Sequence, residues 1–172
     1  MKKLFTIIFA TVIAVATFSP DAKAQWASSV YFEADELKGT PSSYMTTYTD
    51  DAGMFVCISN DKENILSVTT AKGIFDYDSY QNVKLTIGFY KDGALINRKT
   101  ALAFVSTRSA NRALMSDYGS KGIIDKILNH LINVGDVRII AHKFRGGDFD
   151  IKLPMNPDLK LLKQVSSGKS AK

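Results

Sequence analysis

The stretch Val83-Lys84-Leu85-Thr86-Ile87-Gly88-Phe89-Tyr90 constrains this chain more than any other. Val83, Leu85, Ile87 and Phe89 alternate with Lys84, Thr86, Gly88 and Tyr90, a period of two that suits a strand with one buried face and suits no helix. Lys91-Asp92-Gly93 follows, and Asp-Gly marks a hairpin because glycine accepts a positive φ. The chain then returns through Ala94 to Arg98 and goes on in Leu102 to Ser106. Val30 to Ala34, Tyr44 to Thr49, Met54 to Ser59 and Ile65 to Thr70 read as earlier strands, separated by turn-forming runs such as Asp50-Asp51-Ala52-Gly53. Val137 to Phe144 and Asp148 to Leu153 flank Arg145-Gly146-Gly147 as a last hairpin, closed by Pro154 and Pro157. Leu159 to Lys163 reads as one docked turn or short strand.

One segment breaks the period. Ile123, Ile124, Ile127, Leu128, Leu131 and Ile132 form one broad helical face, with Asp125, Lys126, Asn129 and Asn133 opposite. The spacing predicts an amphipathic helix over about 121–134, capped by Ser120 and ended by Gly135 in the left-handed conformation. The expected fold is mainly β: an antiparallel sandwich or barrel-like sheet of about eight strands with that helix packed on it.

The first residues belong to another category. Met1-Lys2-Lys3 is a basic start, Leu4 to Phe18 is apolar, and Ala22-Lys23-Ala24 is a small-x-small cleavage pattern. The apolar run, as a helix about 22 Å long, is short of the ~30 Å hydrocarbon core. Residues 1–24 therefore read as a signal peptide cleaved after Ala24, which places the product in the periplasm or outside a bacterial cell, with no membrane span after cleavage. The remainder, 172 − 24 = 148 residues, reads as a single β-rich domain over 26–164 and a disordered basic tail over 165–172.

Composition removes several function classes. One cysteine excludes a disulfide framework and a multi-cysteine zinc site, and two histidines exclude a three-histidine centre. The net charge of +5, diluted by 17 acidic residues, is too weak to imply nucleic acid. No phosphate-binding loop or nucleophile elbow occurs, so no cofactor is expected.

Four constellations remain. Asp76, Tyr77, Asp78 and Tyr80 form an aromatic-acid loop of the kind that holds a sugar or peptide, or simply a polar loop that stops the strand at Ile74-Phe75. His142 and Asp150 form the one acid–base pair: a three-residue loop places them opposite each other and buries Val137, Ile139 and Ala141. A two-residue loop instead pairs His142 with Ile151 and buries Ile140 and Phe144. Cys57 lies in an apolar strand and reads as a buried thiol. His130 stands at the edge of the helix's apolar face and reads as solvated or half-packed.

The order of Val83–Tyr90, the helix Ile123 to Ile132, then Val137-Arg138-Ile139-Ile140 and Asp148–Leu153, resembles small exported β proteins of the invasion-associated-locus-B and type VI secretion accessory kind. It also resembles single-domain exported proteins common in gut Bacteroidota. The resemblance implies a one-domain antiparallel sandwich with a helix before the final hairpin, and no catalytic residues. The expected function is binding without catalysis, through contact with an envelope or secreted protein at an exposed strand edge or the Tyr- and Asp-bearing loops. The rival readings are a carbohydrate or small-ligand module using Tyr77 and Tyr80, and a small hydrolase using His142 and Asp150.

Overall fold

The computed structural model describes residues 24–32, 41–60, 64–105, 107–116, 122–145 and 147–160. Among them, nine strands join into one antiparallel sheet: β1 (Gln25–Phe32), β2 (Pro41–Asp50), β3 (Gly53–Asn60), β4 (Asn64–Thr70), β5 (Asn82–Lys91), β6 (Ala94–Val105), β7 (Arg112–Ser116), β8 (Val137–His142) and β9 (Asp148–Leu153). One helix, α1 (Ile123–Asn133), links β7 to β8. The spatial order is β1-β2-β3-β4-β7-β6-β5-β8-β9: a four-strand meander, a reversed three-strand meander and a hairpin, every neighbouring pair antiparallel.

The mainly β class with one packed helix is the architecture the alternation predicts. The Asp92-Gly93 turn has φ 49° and 80°, the doubly positive pair of a tight hairpin. Ala94–Val105 is one strand rather than two. Arg112–Ser116 adds a strand where the sequence shows only a short Arg-Ala-Leu-Met-Ser run without alternation of charge; it pairs β4 and, through Leu114 and Ala113, the end of β6. The expected signal segment up to Lys23, Ser120, the end of the expected Val30–Ala34 strand and the expected tail 165–172 lie outside the described residues. A 3-10 turn spans Pro157–Leu159 with Leu159 buried; most of the turn or short strand expected over Leu159 to Lys163 lies outside the described residues.

The helix ends differently from the expectation. Gly122, at φ 73°, is its N-cap. Gly135 is not left-handed; a Cβ there would stand 2.2 Å from the Tyr90 carbonyl oxygen, so the residue is small because the helix end presses on β5. His130 makes the same junction. Its Nε2–H donates to the Tyr90 carbonyl at 2.8 Å, and its ring lies edge-on to Phe89 at 5.2 Å, which makes it buried rather than solvated.

The inward-facing residues of the sheet meet the apolar face of α1 in one core. Phe55, Leu66, Leu85, Ile87, Ile139 and Ile151 are fully buried against Ile124, Ile127, Leu128 and Leu131. Phe75, from the segment between β4 and β5, also enters it. That segment is tied to the loop before β7 (Phe75 N–H to Ala110 C=O) and to β8 (Asp76 N–H to His142 C=O), and Phe75 packs edge-on against Phe149 at 5.5 Å.

The sheet curls until its ends approach. Trp26 of β1 donates through Nε1 to the Pro154 carbonyl at 3.3 Å, and packs on Tyr48 and Phe55. The Asp50 carboxylate accepts the Ala52 and Gly53 N–H groups and also that of Lys152 in β9. Burial pushes the Asp50 carboxyl up against those three hydrogen bonds, and the buried Tyr48 hydroxyl beside it is raised in turn.

Candidate functional site

The aromatic-acid loop is held by its own acid. The Asp78 carboxylate accepts the N–H groups of Tyr80 and Asn82, both at 2.9 Å, and the Asp78 N–H bonds back to the Asn82 carbonyl. Tyr77 packs against the core. Of the four expected ligand-binding residues, Asp78 and Tyr77 thus build the loop, while Asp76 and Tyr80 are exposed, Tyr80 to 80%. The Val105 N–H donates to the Gln81 carbonyl and fastens the loop beside the end of β6.

Neither expected register holds in the last hairpin. His142 stands opposite Asp148, with residues 143–147 between them, and Ile140 stands opposite Asp150. Val137, Ile139 and Ala141 are buried and Phe144 is exposed, as the three-residue loop requires of the faces but not of the pairing. The loop is longer because Lys143 bridges to Phe75 and the Phe144 N–H bonds the Ile74 carbonyl, a contact 70 residues away in sequence. His142 Nδ1 therefore meets Asp148 Oδ1 at 2.7 Å, on an exposed edge. Asp150 belongs to Arg138: Nε donates to Oδ1 at 2.7 Å and a terminal guanidinium nitrogen donates to Oδ2. This pair, with a hydrogen bond from the guanidinium to Tyr90, holds the Asp150 carboxyl below and the Arg138 guanidinium above their ordinary values. The pairing brings His142 and Asp150 into no shared hydrogen bond. Cys57 is fully buried on the inner face and forms no disulfide.

Register divides the outer surface of the sheet into two unlike halves. On β8 and β9 the outward positions include Arg138, His142, Asp148, Asp150 and Lys152, linked by the two ion pairs just described. On β2, β3 and β4 they carry no charge. Met45, Ile58 and Ile65 form one cross-strand row. Thr47, Val56, Ser67, Leu114 and Phe104 form the next, running through β7 into β6; in it Val56 and Ser67 are buried, Thr47 and Leu114 half-buried, and Phe104 exposed. Leu102 and Phe104 belong to a strand in the interior of the sheet, yet are 62% and 49% exposed. An antiparallel strand with one solvated face ordinarily alternates apolar with polar residues. β3 instead is apolar on both faces: Phe55 and Cys57 are fully buried in the core, and on the opposite face Val56 is buried and Met54 and Ile58 are half-buried. In the sequence this signal is the unbroken run Met54-Phe55-Val56-Cys57-Ile58.

A concavity lies between Lys126, Asn129 and Asn133 of α1, with Val134 just past its end, and the first half of β6, with Phe89 and His130 in its lining and a volume of about 440 Å³. Among the described residues no group of three or more His, Cys, Asp or Glu side chains is placed to hold a metal ion, and no helix is long and apolar enough to cross a membrane. Neither a family model, nor a curated protein, nor a solved structure matches this chain.

Proposed function

We propose that the chain is an exported, non-enzymatic binding protein acting through protein–protein contact in the periplasm or outside the cell, and that its contact surface is the outer face around Leu102 and Phe104 at the end of β6, with Leu114 of β7 beside them and Arg112 at its border. The observation that carries this reading is the exposure of Leu102 and Phe104 on an interior strand, with half-buried Leu114 beside Phe104. Large apolar side chains exposed side by side in the interior of a sheet are costly to leave in water, and their ordinary use is an interface. The exposed Tyr80, on the loop fastened beside Phe104, adds an aromatic group of the type enriched at interface centres. Export rests on the basic start, the apolar run and the Ala22-Lys23-Ala24 pattern of the first residues. The hydrolase reading loses its support, since Asp150 is engaged by Arg138.

The test is affinity capture of the mature chain from envelope and medium fractions. Phe104→Asp and Leu102→Asp, at exposed positions, keep the circular dichroism of the parent and reduce retention of the captured protein by about tenfold or more. Lys152→Glu, on the charged half, leaves retention unchanged. Equal retention by the parent and both aspartate variants would overturn the assignment of this face.

A further inference from the structure

We propose that the groove between α1 and the first half of β6 is a small-molecule site for a free amphiphilic acid, a carboxylate carried on an apolar body. This goes beyond the protein contact assigned to the outer face and uses none of the same residues. The groove exists because β6 begins as a hairpin arm standing clear of the core: every residue from Ala94 to Thr100 is exposed. The polar side of α1 runs alongside it. Its lining includes the buried Phe89 and His130, which meet edge-on, with the His130 Nε2–H already committed to the Tyr90 carbonyl. Ile96, 55% exposed, and Val134 extend that apolar lining to the rims.

The charge is one-sided. Lys99 comes from the strand and Lys126 from the helix, so an ammonium group stands on each wall, and no carboxylate lines the space. A cationic ligand would meet two like charges, and a purely apolar one would leave the lysines without a counter-charge. An anion with an apolar tail satisfies both parts of the lining. The volume of about 440 Å³ lies in the range of small-ligand clefts, which is too small for a folded partner.

Decanoate is the probe, with decanol and decyltrimethylammonium as neutral and cationic counterparts, titrated into the mature chain by calorimetry and followed by amide NMR. Decanoate is expected to bind at one site, shifting the amides of Lys99, Lys126 and Val134, and to bind at least tenfold tighter than either counterpart. Lys99→Glu and Lys126→Glu each weaken it about tenfold, a modest loss for a partly solvated ion pair. Phe104→Asp leaves decanoate binding intact, so failure of the interface reading and failure of this one are separable. No heat and no shifts with decanoate, equal binding of the cation, or unchanged binding in both lysine variants would overturn the proposal.

Discussion

Asp150 and Asp50 face the same solvent pH with opposite consequences. Arg138 holds the Asp150 carboxyl below its value in an unfolded chain, about 3.9, so its contribution to stability is fully present above that value and is lost as pH falls through the folded value. Both partners are about a third exposed, which limits the pair to about 1 kcal/mol or less. Urea melts of Asp150→Asn should show that loss at pH 7 and a smaller difference from the parent near pH 3; an unchanging difference would remove the ion pair as the cause. Burial raises Asp50, so its protonation favours the folded state as pH falls, partly offsetting the Asp150 term. His130→Ala removes a hydrogen bond to Tyr90 and the Phe89 contact together, and should cost about 2–3 kcal/mol in the same melts. The types of these residues are visible in the sequence, but their partners are not. His142 meets Asp148 rather than Asp150 because residues 74 and 75 bond into the hairpin loop from a distant segment.

At the scale of elements, turns and helix ends separate two reasons for glycine. Gly93 has φ 80° and open space where a Cβ would be, so Gly93→Ala should cost only the left-handed penalty, about 1–2 kcal/mol. Gly135 has an ordinary φ but no space, since a Cβ would drive into the β5 backbone at Tyr90. Gly135→Ala should therefore cost more, about 2–4 kcal/mol, by forcing α1 away from β5. Reversal of that order in denaturant melts would contradict the close approach. Strands β5 and β9 and helix α1 were legible because their periods are local properties of the chain, and β3 as an apolar run between turn-forming segments. β7 was not: five residues with no charge alternation become a strand because β4 and β6 both offer it backbone partners.

At the scale of the molecule, the meeting of the sheet's two ends gives the fold its closure and treats its edges unequally. β9 carries Asp148, Asp150 and Lys152, ends at Pro154, and has the Lys152 N–H covered by Asp50, so it is protected against pairing with another chain. Asp50→Ala should make the Lys152 amide exchange with solvent at least tenfold faster, measured by hydrogen exchange, while amides in the middle of β5 keep their protection. An unchanged Lys152 rate would show that this contact does not close the seam. What the sequence determined alone is the β class, the one amphipathic helix, the tight Asp92-Gly93 turn and the identity of most core residues, because hydrophobic period and turn chemistry act within a few neighbours. Only the tertiary structure decided the strand order, the partners of His142 and Asp150, the burial of His130, and the division of the outer surface into a charged and a neutral half. Those depend on register and on contacts between distant segments, and a one-residue slip in register moves every side chain of a strand to the opposite face.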